Sequence, residues 1–145
     1  MPLTRTQSWV REFHSFLLAR ARMPFVWGSN DCSLFAADAI QSFTGVDLAS
    51  DFRGKYNDEA SAMALCKSVA GAATIEAAAI YCATRQSLVG WPYPLLARRG
   101  DLVLVNDSGR LISAVIHLDG SHAVTVGEAG LKSLPITSVA RAWAV

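Results

Sequence analysis

Trp27-Gly28-Ser29-Asn30-Asp31-Cys32-Ser33, followed at once by Leu34-Phe35-Ala36-Ala37-Asp38-Ala39-Ile40, is the stretch on which the fold turns. It sets a cysteine in the first turn of a helix, where unpaired backbone N–H groups and the positive end of the helix dipole favour a thiolate. Asn30 or Asp31 can cap that helix, and Gly28 lets the chain turn tightly before it. Cys32 is therefore a candidate nucleophile, and equally a small apolar residue packed at a helix start. Trp27 is placed to pack on the helix start and shield the thiol from water.

Outward from this point the N-terminal part reads as helical. Trp9, Val10, Phe13, Phe16, Leu17 and Arg20 recur at spacings of three and four until Pro24, which predicts an amphipathic helix over residues 6 to 22. His14 falls on its polar side and reads as solvated. The Cys32 helix should fade near Thr44-Gly45. A polar stretch from Asp51 to Asn57 leads to a capped helix from Asp58 to about Val69, stopped by Gly71. Residues 74 to 86 are alanine-rich and helix-prone. Cys66 and Cys82 lie on these two helices as core filler. Asp38 reads as solvated or paired with an arginine, and Gly90-Trp91-Pro92-Tyr93-Pro94 should break any regular element.

The last third changes character, with short β-branched runs parted by turn signals. Strands are expected at Leu102 to Val105, Leu111 to Leu118, Ala123 to Val126, Leu131 to Leu134 and Ala140 to Ala144. Their turns fall at Asn106-Asp107-Ser108-Gly109, Asp119-Gly120 and Gly127-Glu128-Ala129-Gly130. The order predicts one α+β domain over residues 1 to 145, with N-terminal helices (about 6 to 90) packed on a C-terminal antiparallel β-sheet (about 100 to 145). Arg99-Gly100-Asp101 has the letters of a cell-adhesion motif but simply opens a strand.

Composition narrows the function classes. With 145 residues and 52% apolar content there is material for one substantial core. A net charge of +1, from 13 basic and 12 acidic residues, supplies no field to attract nucleic acid. No apolar run approaches the roughly 18 residues of a membrane span, and Met1 to Gln7 leads into no signal-peptide core, so synthesis in a cytoplasm is expected. Three widely spaced cysteines argue against a disulfide framework and a structural zinc site. A Cys32/His117/His122 metal set is possible by ligand type but expected by chance, so neither a metal nor another cofactor is implied. The high apolar share hints at surface buried in an assembly.

Taken in order, the Trp-Gly-x-x-Asp-Cys-Ser helix, the helical insert, the Arg-Gly-Asp-Leu-Val strand and the hairpins resemble the NlpC-type branch of papain-like cell-wall peptidases. The likeness is close at Asp31-Cys32-Ser33 and Arg99 to Val103 and loose elsewhere from residue 8 onward. The Pro24-Phe25-Val26-Trp27-Gly28 lead-in and the Ala140-Arg141-Ala142-Trp143 ending resemble small proteins of tailed bacteriophages found at the tail tip or baseplate hub. The resemblance implies a papain-like α+β fold, residence in the virion after synthesis in a bacterial host, and other tail or hub proteins as partners, with peptidoglycan as a further one.

It further implies that Cys32 attacks a peptide carbonyl while a histidine takes its proton. Two registers compete for that histidine. Matching Ser113-Ala114-Val115-Ile116-His117-Leu118 to the family strand puts Ser113 where the base belongs, and serine is no base near neutral pH. His117 shares that strand face but lies roughly 13 Å along it. Matching Ser121-His122-Ala123-Val124-Thr125-Val126 instead makes His122 the candidate base. If Asp119-Gly120 forms the turn, His117 and His122 are cross-strand neighbours at one end of the sheet, away from the Ser113 level. Two functions follow: an assembly component of a phage tail tip with a catalytically degenerate peptidase-like fold, or a cysteine peptidase or amidase that cuts peptidoglycan stem peptides during genome delivery.

Overall fold

The computed structural model describes residues 3–145. Helices α1 (Trp9–Arg20), α2 (Cys32–Thr44), α3 (Glu59–Ala70) and α4 (Ile75–Arg85) precede strands β1 (Val89–Gly90), β2 (Leu102–Asp107), β3 (Arg110–Ile116), β4 (His122–Gly127), β5 (Gly130–Pro135) and β6 (Val139–Ala144). The fold is α+β. The strands form one sheet in the order β1-β6-β2-β3-β4-β5, with every neighbouring pair antiparallel.

The helix ends follow local chemistry. Asp31 caps α2, Asp58 caps α3 in a reciprocal capping box with Ser61, and Thr74 caps α4. Gly45 and Gly71 stop α2 and α3 in the left-handed conformation. Ser8, before α1, makes no capping hydrogen bond, and that helix is shorter at both ends than its apolar spacing predicts.

Helix α2 lies at the centre. Its apolar residues run round the whole cylinder, the pattern of a buried helix, and Phe35, Ala36, Ala39, Ile40 and Phe43 are sealed from solvent. Phe13 of α1 stacks on Phe43 with ring centres 5.4 Å apart, and Phe16 on Phe35 at 5.4 Å. Full burial of one such side chain is worth about 1.5–3 kcal/mol. The one carboxylate in mid-helix, Asp38, pairs with Arg20 of α1 and with Arg53 of the loop after α2.

The sheet is buried on both faces. Leu102, Leu104, Val115, Val124 and Trp143 face the helices. Alternating with them, Val103, Val105, Ala114, Ile116, Ala123, Leu134 and Ala142 form a second core, covered by Trp91, Ala97 and Ile136. This explains why Leu102 to Val105 is an unbroken apolar run, where a sheet with one wet face would alternate.

Besides the shorter α1, the structure differs from the sequence expectation at β2, which runs on through Asn106 and Asp107, and at two further places. Part of the Gly90 to Pro94 region is ordered: Val89 and Gly90 pair with Ala144 and Trp143, so the sheet takes its first edge strand from the end of the helical half, and Pro94–Leu96 forms a 3-10 turn. The β3–β4 connection is a four-residue loop, Leu118 to Ser121, closed by a His117 N–H to His122 carbonyl bond of 2.8 Å. His117 and His122 remain cross-strand neighbours, and β3 stops at Ile116, short of the predicted Leu118.

Arg99-Gly100-Asp101 is structural. Asp101 is 2% exposed and accepts hydrogen bonds from Trp91 Nε1, the Arg98 and Val145 N–H groups, and Arg5. Its carboxylate ties the chain's two ends to the start of β2. Among the described residues no single helix is long and apolar enough to cross a membrane.

Candidate active-site cysteine and its surroundings

Cys32 is the first residue of α2, and the turn before it is built by three neighbours. Asp31 Oδ1 accepts the Leu34 N–H at 3.0 Å, and Oδ2 accepts the Gly28 N–H at 3.0 Å. The Tyr56 hydroxyl also donates to Oδ2. Asn30 is buried as well, but it serves the preceding loop: its amide donates to the Met23 and Pro24 carbonyls, and its oxygen accepts from Arg20. Gly28 sits at φ +81°, and a Cβ there would fall 2.4 Å from the Tyr56 carbonyl oxygen, so only glycine fits without displacement. Trp27 stacks edge-on against Phe25, with ring centres 5.0 Å apart.

The thiol stands between two spaces. One is a cavity of about 60 Å³ lined by Trp27, Cys32, Tyr56, Cys66, Cys82 and Ser113 among others. The other is an open groove of about 740 Å³ that Trp27, Cys32, Ile75 and Ile112 also line. Ion pairs Arg110–Glu59 (3.2 Å) and Lys132–Asp107 (2.6 Å) stand on its rim. Cys32 itself is only 5% exposed.

Burial governs the sulfur. Loss of hydration pushes the Cys32 thiol up to about 11, and the neighbouring Asp31 carboxylate adds to the rise. The nearby Ser113 backbone and Ser33 favour the thiolate but do not overcome burial. Cys66 is also raised by burial, and Cys82 is pushed up to about 12. Tyr56 is held protonated by burial and by its bond to Asp31. At neutral pH all three thiols are neutral, which is the state of packing groups and not of nucleophiles.

The histidines lie elsewhere. None of the three lines the cavity or the groove at Cys32. His14 is exposed on α1. His117 and His122 flank Asp119 at the β3–β4 tip, with Nδ1 at 3.5 Å and 2.9 Å from its carboxylate. Ser113, in mid-strand, is what faces Cys32 from β3. Among the described residues no group of three or more histidines, cysteines and carboxylates is arranged to hold a metal ion.

A family model described as "Domain of unknown function (DUF6950)" matches residues 4–145. The chain belongs to the DUF6950 family. No curated protein matches it. No solved structure matches it. The match spans the four helices and the whole sheet, so the surroundings of Cys32 lie inside the DUF6950 domain and not in an appendage.

Sequence reasoning found Cys32, Asp31 and Ser113 but missed Tyr56. That tyrosine sits in a polar stretch with no periodic pattern, and nothing local ties it to a carboxylate 25 positions earlier. The only signal nearby was negative, a polar loop with an aromatic residue in it.

Proposed function

We propose that this chain is an NlpC-type, papain-like scaffold without a working proton acceptor, and that it serves as a structural or assembly component of a bacteriophage tail tip or baseplate hub. One observation carries the reading: Ser113 is the β3 residue that shares the cavity at Cys32, and no imidazole lines that cavity or the groove beside it. Cysteine attack on a carbonyl needs a thiolate and a base within hydrogen-bond reach. Here the thiol is held neutral by burial.

The tail-tip setting rests on the resemblance of residues 24 to 28 and 140 to 143, together with the order of the Asp-Cys-Ser helix and the Gly-Asp-Leu-Val strand. It is supported by large apolar side chains left in solvent, among them Val89, Tyr93 and Leu95. Other tail or hub proteins are the partners in this reading, and the virion is the location.

The open groove that reaches Cys32 favours a second reading, a cysteine peptidase or amidase acting on peptidoglycan stem peptides. The two part cleanly in one experiment. Purified chain and its Cys32→Ala variant are incubated with peptidoglycan, and released fragments are followed by mass spectrometry. Equal, background release from both is expected; cleavage by the parent alone would establish the enzyme. In parallel, proteomics of purified particles from a phage encoding the chain is expected to find it in the virion, and its absence there would remove the tail-tip assignment.

A further inference from the structure

Helix α3 is held to the rest of the molecule by few contacts. Of its twelve residues only Ala62 and Cys66 are buried, at 5% and 6% exposure, whereas α2 buries eight of its thirteen. Both are small side chains, so little apolar area is withdrawn from water where α3 docks. Among helices and strands it packs substantially on α4 alone, in a cluster around Phe52, Cys66 and Ala78 that lies apart from the main core. Behind it is the cavity of about 60 Å³, to which α3 contributes Ala62, Met63 and Cys66. A cavity at a packing face leaves its lining with fewer partner atoms.

Its polar ties are spent on itself. Asn57, Asp58 and Ser61 bond to one another around the capping box. Among the described residues, a single hydrogen-bonded ion pair joins residues 57 to 71 to the rest of the fold: Arg110 to Glu59, 3.2 Å apart, with both side chains more than half exposed. An exposed pair of this kind holds weakly. The points on either side are firm. Tyr56 is pinned by its bond to Asp31 and by close packing on Gly28, and Ile75 is buried at the start of α4. Between α3 and α4, Gly71 at φ +90° has open space around it, and Ala72 and Ala73 are exposed, which supplies the slack of a hinge.

We infer that α3 is a hinged cover over this cavity, tethered at its outer end by the Glu59–Arg110 pair: residues 57 to 74 open as one unit while α2, α4 and the sheet stay folded. Opening uncovers Cys66 and the cavity wall that α3 hides. Helix α2 does not follow, because Phe35, Ile40 and Phe43 belong to the main core, and α4 is kept there by Ile75, Ala79 and Ala83. Once detached, a twelve-residue helix has little stability of its own, so its amides lose protection along its whole length. The cover works in the free chain and so stands apart from both readings of function.

Cys66 and Cys32 report on the two levels of opening within one molecule. The full chain is labelled with excess iodoacetamide at neutral pH, in water and in urea below the unfolding transition, and each site is quantified by peptide mass spectrometry. Cys66 is expected to label about tenfold or more faster than Cys32, with a much shallower urea dependence, because opening α3 exposes far less surface than global unfolding. Glu59→Gln should raise the Cys66 rate about twofold to fivefold and leave the Cys32 rate unchanged. In hydrogen exchange, peptides within residues 59 to 70 should take up deuterium ahead of those from α2 and α4. Equal labelling of the two cysteines with the urea slope of global unfolding would overturn the proposal, as would a Cys66 rate unmoved by Glu59→Gln. Exchange of α3 in step with α2 or with α4 would overturn it too, since the cover would then not open alone.

Discussion

Cys32, at the start of α2, and Ser113, in the middle of β3, line one cavity between the central helix and the sheet. That placement leaves the thiol buried in the core. Alkylation should therefore be slow: in folded protein at neutral pH, Cys32 is expected to resist iodoacetamide for hours and to react promptly in urea. Peptide mapping by mass spectrometry reads the site. Rapid, selective labelling of Cys32 at pH 7 would contradict the burial argument.

The same burial fixes the alkaline limb of stability. The folded thiol titrates at about 11 against a reference of 9.0. A raised acid contributes fully below the unfolded value, and its contribution is lost as pH climbs from about 9 toward 11, because the unfolded chain ionises first. Urea midpoints of the parent should fall across that window more steeply than those of Cys32→Ala. Parallel curves would show that the thiol ionises equally well in both states.

Asp31 joins the cap of α2 to the loop that carries Tyr56. Removing its carboxylate in Asp31→Ala strips the cap and leaves the Tyr56 hydroxyl without its acceptor, at an expected cost of about 2–4 kcal/mol. Tyr56→Phe should cost about 1 kcal/mol. The double variant should lose less than the sum of the two, since both remove one shared bond. Strict additivity in chemical denaturation would mean that the bond carries no stability.

At the far end of the sheet, Asp119 titrates at about 2. Partial burial opposes that shift but is outweighed by the Ser121 N–H, by the His122 side chain and N–H, and by the nearby charge of His117. A depressed acid stabilises above its unfolded value of 3.8 and loses that contribution as pH falls toward 2. Asp119→Asn should flatten the acid limb over this window, and only modestly, because the carboxylate is 42% exposed. Melting temperatures between pH 5 and pH 2 give the comparison.

Much of the architecture was legible in residue order alone. Apolar periodicity, Asp58 and Thr74 as caps, Gly45 and Gly71 as stops, and a turn at Ser108-Gly109 are local signals, because capping and turn formation involve groups a few positions apart, although Asn106 and Asp107, expected in that turn, extend β2. Strand β1 was not legible. Two residues carry no pattern, and Val89–Gly90 is a strand only because β6, more than fifty positions later, lies beside it.

At the candidate site the division is the same. The sequence by itself determined that Cys32 opens a helix capped by Asp31, and that His117 and His122 would face each other across a hairpin, since a cap needs three residues and a hairpin about ten. Only the tertiary structure decided what surrounds the sulfur. Which strand residue meets α2 depends on how the helix lies across the sheet, and burial of a thiol is set by every element packed on it. That packing brings Ser113 and Tyr56 to the helix start and leaves both hairpin imidazoles outside the cavity and groove. Desolvation then outweighs the pull of the helix dipole, so the position that local chemistry suited to a thiolate holds a neutral thiol.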